Sequence, residues 1–349
     1  LTLTLTLFAI GMIGMEFATI FTNSMLPDLG TKEEIGKISG NGWAFGYLGG
    51  LFALVIMLTL FAENATTGTT LIGLDPLFGL DADQREGTRF VGPLTAIWYA
   101  VFMIPFFLWV RDPKPAGAPP GAVKQALREV VQTVRQLPKT PSLFAFLGAS
   151  MSYRDALNGI YAFGGIYAAG VLDWSVVDIG VFGILAIVAG AIFASVGGRA
   201  DSAFGPKPVI IACILVLTVA AIAIIFVSPT RVFGIPVEDG SALPDISFYV
   251  IGCLVGAAGG AIQSASRTMM VRQANPEKMT EAFGLYALAG KATSFVAPLS
   301  IGALTYATGS QQIGISPLMV LFLIGLVLLI WVKPEGDQQA WSGEQQPSY

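Results

Sequence analysis

Hydrophobic positions gather along this chain in runs of about 18–25 residues, the length that carries an α-helix across roughly 30 Å of hydrocarbon. They fall near residues 4–27, 38–62, 91–110, 143–170, 177–198, 208–228, 246–270, 282–308 and 315–332. Most are apolar on every side, whereas buried helices of a soluble protein would carry an amphipathic stripe. The pattern therefore predicts an all-α membrane protein with about nine transmembrane helices.

Polar positions interrupt one run above all. Met151–Gly170, MSYRDALNGIYAFGGIYAAG, sets Arg154 and Asp155 side by side near the middle of a span. A charge at the centre of a membrane helix costs roughly 2.5–3.5 kcal/mol on insertion scales, so the pair needs partners or a function. At helical spacing Arg154, Asn158 and Tyr161 share one face with Asp155 beside it, a stripe that must meet protein or water. Pro298, inside the eighth run, predicts a kink. Gly42-x3-Gly46-x3-Gly50 and Gly252-x3-Gly256-x3-Gly260 predict ridges along which helices approach closely.

Composition agrees: 54% of residues are hydrophobic and 12% charged, against about 25% charged in an ordinary soluble domain. Basic residues mark alternate connections: Lys32 and Lys37; Arg111, Lys114, Lys124, Arg128, Arg135 and Lys139; Arg199 and Lys207; Arg272 and Lys278. The opposite side has only Arg85, Arg89 and Arg231, set among acids. This bias places the C-terminus in the cytoplasm and the first residue outside. The chain opens LTLTLTLF, without an initiating Met or the basic flank of a signal peptide. Ends on opposite sides are what a twelve-helix protein without its first three helices would show.

KEEIGKISGNGWAFGYLGG from Lys32 aligns with PEKMTEAFGLYALAGKATS from Pro276, matching Glu33 with Glu277, Gly40 with Gly284 and Gly46 with Gly290. Parallel repeats build the two halves of some transporters; chance likeness between Gly-rich membrane segments is the alternative. The expected organisation is a remainder of an N-terminal bundle over 1–110, a cytoplasmic central loop over 111–142, a six-helix C-terminal bundle over 143–333 and a cytoplasmic tail over 334–349. The loop holds a Pro-rich stretch, DPKPAGAPPG, then an amphipathic helix with Val123, Ala126, Leu127, Val130, Val131, Val134 and Leu137 on one stripe and Lys124, Arg128 and Arg135 elsewhere. Lipid contact and packing beneath the bundle explain that stripe equally well.

Several function classes are excluded. With no histidine, and with Cys213 and Cys253 both inside apolar runs, there is no basis for His-based metal sites, His proton relays or a disulfide framework. HExxH, Gly-x-Ser-x-Gly and phosphate-binding Gly-Lys-Ser/Thr patterns are missing, so no enzyme chemistry and no cofactor is expected. A net charge of −4, with basic residues sorted by membrane side, gives no nucleic-acid surface.

The intramembrane charges share a depth. Counted from the cytoplasmic end of each span, Glu16 is about eleven residues in, Arg154 and Asp155 about twelve and Lys291 about ten, which at 1.5 Å per residue puts all of them roughly 15–18 Å deep. Two positive and two negative groups at one level can neutralise one another and form a polar belt at the midplane, where secondary transporters bind cargo. A fixed ion-pair network that only locks the helices is the other reading. Asn23, two turns after Glu16, extends that acid's polar face. Arg267 sits nearer the cytoplasmic end in QSASRTMMVRQ, with Gln263 and Ser264 within a turn; it suits a cargo contact, a gate pair or a snorkelling base.

EFATIFTNSMLPDL, ISGNGWAFGYLGGL, YRDALNGIYAFGGIYAAGV and EAFGLYALAGKATSF together resemble the vacuole-effluxer-like branch of the major facilitator superfamily, over nearly the whole chain. The resemblance implies a twelve-helix, two-bundle secondary transporter; its fungal members are linked to release of amino acids from the vacuole after autophagy. It implies that the spans are the fourth to the twelfth, with Glu16, Arg154 and Gln263 on cavity-lining helices and Lys291 on the eleventh. The loop GGRADSAFGPKP keeps Asp201 of the superfamily's gating pattern, while Ser202 and Ala203 interrupt it. The expected activity is alternating-access transport of a small polar solute, amino acids first. Arg154 would hold a carboxylate, and Asp155 or Glu16 an amine or a proton. A receptor or scaffold that keeps the carrier fold is the alternative. The expected setting is a bacterial cytoplasmic membrane, or a vacuolar membrane if the chain is fungal, with lipid as its surroundings.

Overall fold

In hydrocarbon every backbone N–H and C=O must bond within its own segment, so long apolar runs become helices. The computed structural model describes residues 2–64, 66–110, 122–238 and 240–337. The Pro-rich stretch and residues 338–349 of the expected tail lie outside the described residues. The helices are α1 (Thr2–Ser24), α2 (Ile35–Ile56), α3 (Glu86–Arg89), α4 (Val91–Trp109), α5 (Ala122–Gln136), α6 (Pro141–Val171), α7 (Val176–Phe204), α8 (Pro206–Ile225), α9 (Leu243–Gln273), α10 (Met279–Ala292), α11 (Val296–Thr308), α12 (Gln311–Gly314) and α13 (Pro317–Leu328). After α8, three two-residue strands, β1 (Val227–Ser228), β2 (Arg231–Val232) and β3 (Ile235–Pro236), pair antiparallel in chain order, Val227 opposite Val232 and Val232 opposite Ile235.

Among the described residues, eight helical stretches are long and apolar enough to cross a membrane. The remaining expected span is α6, whose 31 residues are long enough but include Arg154 and Asp155. Helix starts follow local chemistry. Proline opens α6, α8 and α13, where its missing N–H has no partner to lose. A reciprocal Ser175–Asp178 capping box starts α7, and Gly205 at φ 84° ends it.

By packing, the chain divides into Leu1–Phe45 with Ala126–Tyr349, and Gly46–Gln125, a boundary inside α2. The core of the larger unit lies among α6, α8, α9 and α13, where Phe146, Tyr153, Ile210, Leu217, Ile262, Met269 and Phe322 are buried. Helices α7 and α9 meet along the expected Gly252, Gly256 and Gly260 ridge: a Cβ there would strike the Phe182 ring, the Ala186 carbonyl and the Gly190 carbonyl. The ridge expected on α2 is corrected. Among the described residues nothing lies within 4 Å of a Cβ added at Gly46 or Gly50, and one added at Gly42 meets only the Arg267 guanidinium at 3.6 Å. Gly36 and Gly40 make the approach instead, Gly40 lying against the Ala194 carbonyl and Gly198 of α7. Residue 42 is about 200° around the helix from residue 40, so the two positions cannot serve one contact.

In the smaller unit, Glu63 ties the loop after α2 to α3. Its carboxylate accepts from Arg85 Nε at 2.6 Å, Thr88 N at 2.9 Å and Thr88 Oγ1 at 2.6 Å. Gly87 leaves room for this, because a Cβ would strike the Phe61 carbonyl and the Glu63 carboxylate. Burial pushes the Glu63 pKa upward, but hydrogen bonds from Thr88 and Arg85 outweigh it and bring the pKa down to about 2.

Candidate functional site

The site is built on a broken helix. Pro298 has no N–H, and its ring conflicts with an unbroken run of the residues before it. The chain therefore stops α10 at Ala292 and starts α11 at Val296. Val296 N donates to the Thr293 carbonyl at 2.8 Å, the acceptor that Ala297 would use in a continuous helix. Ala297 N donates instead to Asp155 Oδ2 at 3.1 Å. A carboxylate from α6 thus closes the start of α11, a favourable place for negative charge. Asp155 is only 1% exposed, and its Oδ1 has no hydrogen-bond partner among the described residues.

The other intramembrane charges meet α10 just before the break. Lys291 Nζ pairs with Glu16 Oε1 of α1 at 2.9 Å, with side chains 54% and 29% exposed, so the pair is open to its surroundings. Arg154 lies along α10: Nη1 donates to the Tyr286 carbonyl at 3.1 Å, and the guanidinium carbon stands 4.3 Å from the Tyr286 ring centroid. Gly290 makes the space, since a Cβ there would come within 2.5 Å of Arg154 Nη1. The four expected charges therefore converge on one segment, but not as a mutually neutralising set. Among the described residues Glu16–Lys291 is the one ion pair they form; Arg154 has a carbonyl and a ring, Asp155 a backbone N–H. Neighbouring helical residues point about 100° apart, and that separates Arg154 from Asp155.

Asn158 and Tyr161 stay exposed on α6, and the Tyr161 hydroxyl lies where a side chain at Gly259 of α9 would begin. Gln263, one turn on along α9, is partly buried. Arg267 does not snorkel. It donates to the Ser39 carbonyl at 2.6 Å, to Ser39 Oγ at 3.2 Å and to Asn23 Oδ1 at 3.1 Å, and its guanidinium stands 5.3 Å from the Trp43 ring centroid. Asn23 thus serves Arg267, while Glu16 pairs with Lys291, and α1, α2 and α9 are joined through one side chain.

Residues 1–340 match the family described as Vacuole effluxer Atg22 like. The chain belongs to that family. Among its relatives, an uncharacterized MFS-type transporter YxiO of Bacillus subtilis (strain 168) is 24% identical over 335 residues, 95% of this chain and 72% of that protein. Autophagy-related protein 22 of Cryptococcus neoformans var. neoformans is 25% identical over 305 residues, 84% of this chain and 49% of that protein. Autophagy-related protein 22-1 of Sclerotinia sclerotiorum is 25% identical over 337 residues, 89% of this chain and 53% of that protein. The chain spans about half the length of these fungal relatives. It is a multi-pass integral membrane protein of a transporter family.

Two further parts of this Atg22-like chain lie at the end of the bundle that its basic loops mark. Asp201 is fully buried at the end of α7, facing Thr268 and Arg272. Its neighbour Ser202, which departs from the superfamily pattern, accepts from Lys37 N at 3.1 Å and so holds the start of α2. Glu335 was not expected from sequence. It pairs with Lys32, which follows α1, and with Arg272 of α9 at 3.0 Å. A cleft of about 670 Å³ opens beside it, lined by Pro27, Lys32, Thr268, Arg272, Asn275 and Glu335 among others. The available signal was an acid just past the last span, on the side where bases predominate.

Proposed function

We propose that this Atg22-like chain carries a small polar solute, amino-acid-like in charge, by alternating access, with the α10–α11 break at the centre of the site. The observation that carries this reading is the gathering of Arg154, Asp155, Glu16 and Lys291, from three parts of the chain, on one discontinuous helix. Broken helices at the midplane are where transporters of this architecture hold cargo. Arg154 is held by Tyr286 through one N–H and its ring face, which orients the rest of the fork for a carboxylate. The half-exposed Glu16–Lys291 pair suits a cargo amine competing with Lys291 for Glu16, or a proton releasing Lys291 from it. In this reading 1–110 is part of an N-terminal bundle and 143–333 a C-terminal one, with Arg267 and Glu335 closing the cytoplasmic ends of α1, α2 and α9.

A receptor or scaffold with the carrier fold is the second reading, and the burial of Asp155 favours it. The test is exchange of labelled amino acids in proteoliposomes of the full-length protein. Carrier function predicts saturable exchange that Arg154→Gln lowers at least tenfold, while that variant remains folded. No exchange of any amino acid by the folded wild type, with no thermal stabilisation by any of them, removes the carrier reading.

A further inference from the structure

Helix α5 carries an apolar strip that the transport reading does not use. At about 100° per residue, Thr133 and Leu137 share one edge. Thr133 donates to Glu281 of α10, and Leu137 is buried, so this edge is fixed to the bundle. Next round the helix come Val130, Val134 and Val131, exposed at 38%, 44% and 50%. Beyond Val131 lie Arg135 and Arg128, both exposed, and Gln132 and Gln136 complete the circle, also exposed. Bundle edge, bare apolar strip, basic border and polar back thus follow in order.

We infer that this strip seats α5 in the headgroup layer of the membrane that the chain spans, with Arg128 and Arg135 on the phosphates of anionic phospholipids. Two observations select lipid as the occupant. First, α5 runs through the single turn Leu137–Lys139 directly into α6, which starts at Pro141, so the helix stands where a spanning segment enters the bilayer. Second, the strip's open border is cationic, on the side that the loop charges mark as cytoplasmic, and it complements the negative surface of that leaflet. Three valines also fall far short of the roughly 1,200–2,000 Å² that a stable protein interface buries. The inference goes beyond the transport reading and does not depend on it.

The test uses the full-length protein with Cys213 and Cys253 replaced by alanine and a nitroxide placed through Val131→Cys or Gln132→Cys. It is reconstituted into phosphatidylcholine bilayers with or without about one-third phosphatidylglycerol, and collision rates with oxygen and with a water-soluble nickel chelate are compared. Both sites are exposed, so neither label disturbs packing. In the anionic bilayer oxygen should win at 131 and the chelate at 132. Adding Arg128→Gln and Arg135→Gln should lower the oxygen preference at 131 several-fold. Equal chelate access at both sites overturns the proposal, and so does shielding of 131 from both reagents, which would mean a protein cover. Equally deep seating on pure phosphatidylcholine overturns the assignment to anionic lipid.

Discussion

Helix α4 is an uncharged run of 19 residues, and none of them is buried. Helix α6 carries Arg154, Asp155, Asn158 and several serines, and about half of its 31 residues are buried. In a soluble protein the order would be reversed. Lipid tails are as apolar as leucine, so nothing drives an apolar face out of them; small and polar residues are the ones that gain from protein neighbours. Between these two helices it is the small and polar residues, and not apolarity, that go with burial.

Enlarging a glycine should act very differently in the two kinds of helix. Gly256→Leu in α9 drives a side chain into the Ala186 backbone carbonyl, which cannot swing aside. Overpacking of this sort costs about 1–3 kcal/mol and often more against backbone. The folded, monodisperse fraction on size-exclusion chromatography should fall to a minor component. Gly92→Leu in α4, with nothing among the described residues within 4 Å of an added Cβ, should run like the wild type. Equal damage from both changes would mean that α4 is packed after all.

Next in size is the Arg267 clamp. Arg267→Ala removes three hydrogen bonds, two to Ser39 and one to Asn23 Oδ1. Charged hydrogen bonds of this kind contribute about 1.5–3 kcal/mol, so the melting temperature should drop by several degrees. Ser39→Ala, which keeps the carbonyl contact, should lose less. An unchanged melting temperature for Arg267→Ala would show that this contact does not hold α1 and α2 to α9.

The Glu63 knot brings in pH. Its pKa is pulled from the ordinary 4.5 to about 2 in the folded protein, so its stabilising effect is full above the ordinary value and lost as pH falls towards 2. The Thr88 amide, which donates to Glu63, should therefore remain protected from hydrogen exchange at pH 4 and lose protection only near pH 2. Glu63→Gln should expose it at any pH, at a local cost of about 1–3 kcal/mol.

How much of this could be read from the residues depends on whether an interaction is visible in a charge or hydropathy census. Every expected span is helical, since long apolar runs in hydrocarbon have no other way to pair their backbone, but the run over 282–308 is two helices, α10 and α11. Glu16 and Lys291 were legible as members of one belt of charges at a shared depth, though not as each other's partner. The partner of Asp155 was not legible either, because it is the Ala297 N–H, freed only by the break before Pro298. The repeat alignment misleads about glycines: Gly40 packs on Gly198 while, among the described residues, a Cβ on its counterpart Gly284 would meet nothing within 4 Å, and Gly290 seats Arg154 while a Cβ on Gly46 would meet nothing either. Matching sequence positions preserved a residue type and not its neighbour. On α5 the stripe was legible as one surface, but Leu137 is buried and the valines are bare, a division that only the place of Glu281 decides.

The smallest expected effect concerns Glu335, and its two partners make it informative. Lys32 and Glu335 are about half exposed, whereas Arg272 is 14% exposed. Exposed ion pairs are worth about 0–1 kcal/mol and weaken with salt. Glu335→Gln should therefore lower the melting temperature by no more than a degree or two at low salt, and less at high salt. The segment that carries Glu335 is held independently: Asp337 accepts from Ser142 N at 2.8 Å, Lys333 N donates to Ser142 Oγ at 2.8 Å, and Gln273 donates to the Lys333 carbonyl at 2.7 Å. Losing the carboxylate should free Lys32 while the segment stays in place, so amide exchange should rise at residues 30–34 and not at 333–337. If both stretches loosen together, Glu335 anchors the segment itself, and its contact with Lys32 is incidental.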